Sequence, residues 1–198
     1  MVMLQSGKAL ICAGLGLALC SGAVLAEPLT GKQAAKQLYS AKRSEVQMLA
    51  VAGLSVEHSA LLAGVVKDYA YYAAAAIAPE EELLKSEATT LVANHHSVEA
   101  ASAAALAGCN TLRKSATECV IAAIVRPKGW ESRVLQLSVE GTVAMAEDYG
   151  RRGGRALATS ATTGFFALGK GAQAQAGALR DCADKGADDC KVVVADPE

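Results

Sequence analysis

Aromatic side chains are scarce: one Trp, two Phe and five Tyr in 198 residues, or 4%. Aromatic rings are therefore expected to fill little of the core. Apolar residues still make up 52% of the chain, many of them alanine, which predicts a thin, tightly packed core with helices lying close on a sheet. A chain this apolar and this weakly charged is not a disordered one. An excess of charge is also missing, with 19 Lys and Arg against 20 Asp and Glu and a net charge of −1. Nucleic acid is therefore not an expected partner, because binding it needs a concentrated basic face. No stretch spells out a catalytic or ligand-binding signature.

Residues 1–26 read as a secretory signal peptide, with Lys8 as the positive start, an apolar stretch from about Ala9 to Leu19, and Val24-Leu25-Ala26 as the cleavage site. Cleavage leaves Glu27 first and a mature balance of 18 basic against 20 acidic residues, or −2. The alternative is a retained anchor, since Ala9 to Ala26 is a run of 18 mostly apolar or small residues. Leu17-Ala18-Leu19-Cys20 lacks the small residue before the cysteine that lipid attachment wants. Contact with a membrane is expected only through the leader before cleavage, and the mature chain is placed in the periplasm or outside the cell.

One pattern occurs twice. An alanine-rich helix ending near Cys109, a polar loop and a strand opening at Cys119 are echoed by a helix ending near Cys182, a shorter loop and a strand opening at Cys190. Cys12 and Cys20 leave with the leader, so four cysteines remain in an oxidising compartment. The equivalent settings pair Cys109 with Cys119 and Cys182 with Cys190. Metal ligation and free thiols are the alternatives, but zinc sites favour Cys-x2-4-Cys spacing, and these loops hold nine and seven residues. Loops of this size contribute about 2.5–3 kcal/mol each in the chain-entropy model.

The expected organisation is an N-terminal helical segment over 27–70, a first ββαβ repeat over 71–126, a connector over 127–154 and a second ββαβ repeat over 155–198. Gly31 to Met48 has helical composition, and Ser55 caps a second helix whose first turn holds His58. Strands are expected at Tyr71 to Ala78 and Leu83 to Val92, on either side of the acidic turn Glu80-Glu81-Glu82. The fold class is α+β: two ββαβ repeats forming one antiparallel or mixed sheet, or two packed sheets, with Ala-rich helices on one face and extra N-terminal helices at an edge or end.

Candidate functional residues are few. Asn94-His95-His96-Ser97 lies on a strand-to-helix connection, where side chains reach ligands held over a sheet, and Ser97 is placed as an N-cap with Glu99 in the first turn. His95, His96 and Glu99, with Glu118 as a further carboxylate, are the candidates for a ligand or metal. This region also lies where the first copy is longer than the second. Arg126, Lys128 and Trp130 form a loop that either contacts a partner or pins itself to the body of the protein. Arg151-Arg152-Gly153-Gly154-Arg155 is a basic linker able to meet phosphate or an envelope polyanion, but it lacks the spacing of a phosphate loop.

On Gly164 to Phe166, Ala176 to Leu179, Cys182, Cys190 and Val192 to Val194, the unit resembles small secreted bacterial domains of unknown function in which a hairpin and a helix are stapled by one disulfide. The mature chain is also similar to short secreted alphaproteobacterial proteins that bear the name 5-aminolevulinate synthase. Pyridoxal phosphate chemistry needs a Schiff-base lysine and a phosphate cup on a far larger fold, and neither length nor lysine context provides them. The expectation is a non-catalytic module without cofactor or metal that binds an envelope component, a small ligand or a protein. The alternatives are an envelope enzyme or metal-binding protein using His95 and His96, and an interaction or inhibitor protein presenting the Trp130 loop.

Overall fold

The computed structural model describes residues 27–198, so the leader, Cys12 and Cys20 lie outside the described residues. Helices α1 (Gly31–Ala35) and α2 (Val56–Val66) flank strand β1 (Ser44–Met48). A ββαβ unit follows, made of β2 (Ala73–Ile77), β3 (Thr90–Val92), α3 (Val98–Leu112) and β4 (Val120–Pro127). Helix α4 (Val139–Glu147) leads into a second unit of β5 (Arg155–Thr159), β6 (Phe166–Lys170), α5 (Ala174–Ala183) and β7 (Lys191–Asp196). The strands form two separate antiparallel sheets, ordered β1-β4-β2-β3 and β6-β5-β7, and the fold is α+β.

The two units share their topology down to an irregularity. Ala75 pairs with Ala123 and Ala76 with Ile121, which leaves Ala122 in a bulge; Leu157 pairs with Val194 and Ala158 with Val192, which leaves Val193 in one. Each bulged residue stands three positions after the second cysteine of its loop. Each also takes a backbone N–H from the N-terminal segment, Ala122 O from Leu49 at 2.9 Å and Val193 O from Leu29 at 3.0 Å. Disulfides join Cys109 to Cys119 and Cys182 to Cys190, tying each helix to the strand that follows it.

Helices lie on both faces of each sheet rather than on one. The reason is visible in β2, where Ala73–Ile77 is buried at every position, the pattern of a strand with no wet face. Ala74 and Ala76 meet Ala101, Ala105 and Cys109 of α3, while Ala73, Ala75 and Ile77 meet Leu62 and Val66 of α2. In the second sheet Ala156 and Ala158 meet Ala174, Ala178 and Cys182 of α5, and Leu157 and Val194 pack with Ala34, Leu137, Met145 and Tyr149. Alanine faces the disulfide-bonded helix in both units, which lets helix and sheet approach closely. At Gly169 a Cβ would stand 1.8 Å from the Ala174 carbonyl oxygen, so α5 rests directly on β6.

Two local expectations change. Ser44–Met48 is a strand, not helix, because its outward edge position beside β4 lets it complete a ladder from Ser44–Pro127 to Met48–Ala123. The expected strand from Leu83 narrows to Thr90–Val92, since Glu81 and its neighbours form turns fastened elsewhere. Glu81 accepts the backbone N–H groups of Lys114 (2.6 Å) and Ser115 (2.9 Å) and the Ser86 hydroxyl (2.6 Å), and so clamps the first disulfide loop to the hairpin. In the second unit the carboxylate comes from the other side: Asp189 of the disulfide loop accepts Thr162 N–H of the hairpin turn at 2.9 Å.

Candidate functional site

The tetrapeptide Asn94-His95-His96-Ser97 sits where the two units and the connector meet. Asn94 takes φ of 60°, and its Oδ1 accepts Glu140 N–H at 3.3 Å. His95 exchanges backbone hydrogen bonds with Tyr72 (3.1 and 3.4 Å), and its Nδ1 lies 3.2 Å from Ala93 O. Ser97 caps α3 by accepting Ala100 N–H at 3.0 Å. Gly164 of the second hairpin closes against this segment, with space so tight that a Cβ would stand 2.1 Å from Asn94 O.

His96 is buried, with both ring nitrogens engaged. Its Nδ1 accepts Ser138 N–H at 3.0 Å, and its Nε2 donates to Phe165 O at 3.1 Å. An N–H pointing at Nδ1 fixes the neutral tautomer that carries its proton on Nε2. Burial holds its pKa below the ordinary histidine value, opposed by the Phe165 hydrogen bond and assisted by His95. The Phe166 ring packs edge-on at 6.2 Å. Glu99 is exposed in the first turn of α3, and Glu118 is exposed in the first disulfide loop. The structure thus brings His95 and His96 into the junction and leaves both carboxylates outside it. Among the described residues no three His, Cys, Asp or Glu side chains are placed to hold a metal ion.

The Trp130 loop is fastened along its length. Trp130 Nε1 donates to Gln136 Oε1 at 2.9 Å, the Arg126 guanidinium lies 5.1 Å from its ring centre, and Arg126 pairs with Glu45 at 3.2 Å. Lys128 is exposed, but its backbone N–H donates to Arg43 O at 3.1 Å. Trp130 itself is half-buried against the core of the first unit.

A different place gathers polar groups against an apolar wall. Between α1, α4 and the start of β5 lies a cavity of about 610 Å³, within the range of small-molecule sites. The Leu29 bridge to β7 brings α1 here, and the Thr30 capping box with Gln33 starts the helix at Gly31. Gly31 donates its N–H to Asp196 Oδ2 at 3.0 Å, and a Cβ there would stand 2.6 Å from that oxygen and 2.7 Å from the Tyr149 ring. Only the bare Cα lets α1 close this wall. Ala35, Leu38, Met145 and Ala146 provide the apolar side.

The polar end is a cluster around Asp196. Arg155 pairs with it at 2.9 Å, both side chains about 15% exposed, and the Arg155 guanidinium stands 5.4 Å from the Tyr149 ring centre. Burial pushes the Asp196 carboxyl upward, but hydrogen bonds from Arg155, Tyr149 and Gly31 outweigh it and hold it below the usual carboxylate value. Burial, then the Asp196 carboxylate, raises the Tyr149 hydroxyl. Lys32 and Arg151 line the same cavity and have no ion-pair partner among the described residues. No protein-family model, curated protein or solved structure matches the chain.

The basic linker from Arg151 to Arg155 was legible in the sequence as a place to meet an anion, and two of its arginines line this cavity. Lys32, Tyr149 and Asp196 carried no such signal. They are distant in the sequence, and only the pairing of Leu29 with β7 assembles them.

Proposed function

We propose that this protein is a periplasmic or secreted disulfide-stabilised module that holds a ligand or partner and performs no catalysis. The α1–α4 cavity carries the reading: an apolar wall, a tyrosine and three cations line one open cleft, in which the one carboxylate is already bonded. The leader pattern and the two disulfides support an oxidising compartment. No described helix is long and apolar enough to cross a membrane. The hydrogen bonds of His96 support a structural role for it, because both nitrogens that could act on a substrate are bonded to backbone.

Native mass spectrometry of the protein purified from its producing cells tests this reading. The expected result is a bound small molecule or partner that is lost from Ala146→Phe, which fills the cavity, and kept by His95→Ala and Glu99→Gln. Retention by Ala146→Phe together with loss from the His95 or Glu99 variant would shift the function to the tetrapeptide.

A further inference from the structure

We infer that the α1–α4 cavity takes a small amphipathic carboxylate, with its chain along Ala35, Leu38, Met145 and Ala146 and its head between Lys32 and Arg151; this rests on the binding reading above and names the ligand class of the same site. Two observations lead to it. The first is charge: three cations and one carboxylate line the cavity, and Asp196 is committed to Arg155 and Gly31, so the positive charge left over belongs to Lys32 and Arg151. A carboxylate gains from both, and an ammonium is repelled by both.

The second is shape. The clefts beside β1 and α2, near α5, and beneath the acidic turn measure about 460, 330 and 240 Å³, against about 610 Å³ here. The β1–α2 cleft is lined by apolar and hydroxyl side chains without charge, whereas this one has a charged end and an apolar end. A ligand that fits must therefore have both.

The test titrates the ¹⁵N-labelled protein at low ionic strength with octanoate, 1-octanol and octylammonium in separate series, following backbone amide shifts. Octanoate is expected to give saturable shifts at Gly31, Ala146 and Gly150. The double variant Lys32→Glu, Arg151→Glu, whose positions are both exposed, is expected to weaken octanoate by roughly tenfold or more while keeping the wild-type spectrum elsewhere. Octanol or octylammonium binding the cavity as tightly as octanoate would overturn the ligand class and leave the binding reading standing. Octanoate shifts confined to another surface, such as the exposed Leu61 and Val65 of α2, would overturn the site. Silence of the cavity amides toward all three probes would also overturn the inference, whatever ligand mass spectrometry finds elsewhere.

Discussion

Nδ1 of His96 accepts the backbone N–H of Ser138 at 3.0 Å, and Ser138 in turn caps α4 by accepting Gly141 N–H at 3.1 Å. With Nε2 donating to Phe165 O, one imidazole fastens the entry to α3, the start of α4 and the second hairpin to one another. Tyr71 reinforces the same joint, its carbonyl accepting Val139 N–H at 3.2 Å and its hydroxyl donating to Thr142 Oγ1 at 3.4 Å.

This joint is expected to weaken in acid. An unfolded histidine titrates near 6.5, and burial holds His96 lower in the folded chain. Above about pH 6.5 both states are neutral. As pH falls from there toward the folded value, the unfolded chain takes up the proton first and stability declines. His95, on the same segment, pushes in the same direction. Urea midpoints measured from pH 7.5 to 4.5 should fall through this window, with a shallower fall in His96→Gln, which keeps one acceptor and one donor without the charge. His96→Phe keeps ring volume but orphans the buried Ser138 N–H, whereas Phe165 O keeps its hydrogen bond from Ser160 N–H, and is expected to cost about 1–3 kcal/mol at pH 7.5. An acid limb unchanged in His96→Gln would contradict this role.

Glu81 is expected to hold the first disulfide loop until strongly acid pH. The Ser86 hydroxyl and then the amides of Ser115 and Lys114 lower its pKa to about 2. Its contribution is complete above the unfolded carboxylate value and disappears as pH falls through about 2. Hydrogen exchange at Lys114 and Ser115 should be faster in Glu81→Gln at neutral pH, with the second unit unaffected. Asp189→Asn should instead speed exchange at Thr162. Exchange unchanged at all three amides would mean that these carboxylates do not fasten the loops.

Two glycines of the second unit should respond in opposite ways to the same substitution. At Gly169 a Cβ meets the Ala174 carbonyl oxygen and, at 2.9 Å, the Ala178 nitrogen, all backbone, so Gly169→Ala must lift α5 from β6 and is expected to cost about 1–3 kcal/mol or more. At Gly177, inside α5, a new Cβ comes no nearer than 3.8 Å to the Arg180 guanidinium, so Gly177→Ala should stabilise by about 0.4–1 kcal/mol. Urea midpoints of the two variants, moving to either side of the parent, check both. A neutral Gly169→Ala would contradict the close seating of α5.

Much of this arrangement could be read from residue order alone, and its limits have physical causes. The cysteine pairs, the capping serines Ser55 and Ser97, and the helix-loop-strand order are local, so the sequence displays them directly. Ser44–Met48 misled because Glu, Gln and Met favour helix in isolation, and only the free edge of β4 makes the segment a strand. The histidine pair stood out as chemistry, yet its partners are the backbone groups of Ser138 and Phe165, which any residue carries. The cavity was the least visible feature, because Lys32, Tyr149, Arg155 and Asp196 meet only once the N-terminal segment pairs beside β7.

The central claim, an exported module stapled once in each unit, is tested most directly by non-reducing peptide mapping of the protein recovered from the periplasm or medium. The account predicts Glu27 at the N-terminus and two linked peptides, Cys109 with Cys119 and Cys182 with Cys190, each bridge contributing about 2.5–3 kcal/mol when removed by paired Cys→Ser substitution. A Cys109–Cys182 link, or a retained leader with all thiols reduced, would contradict it.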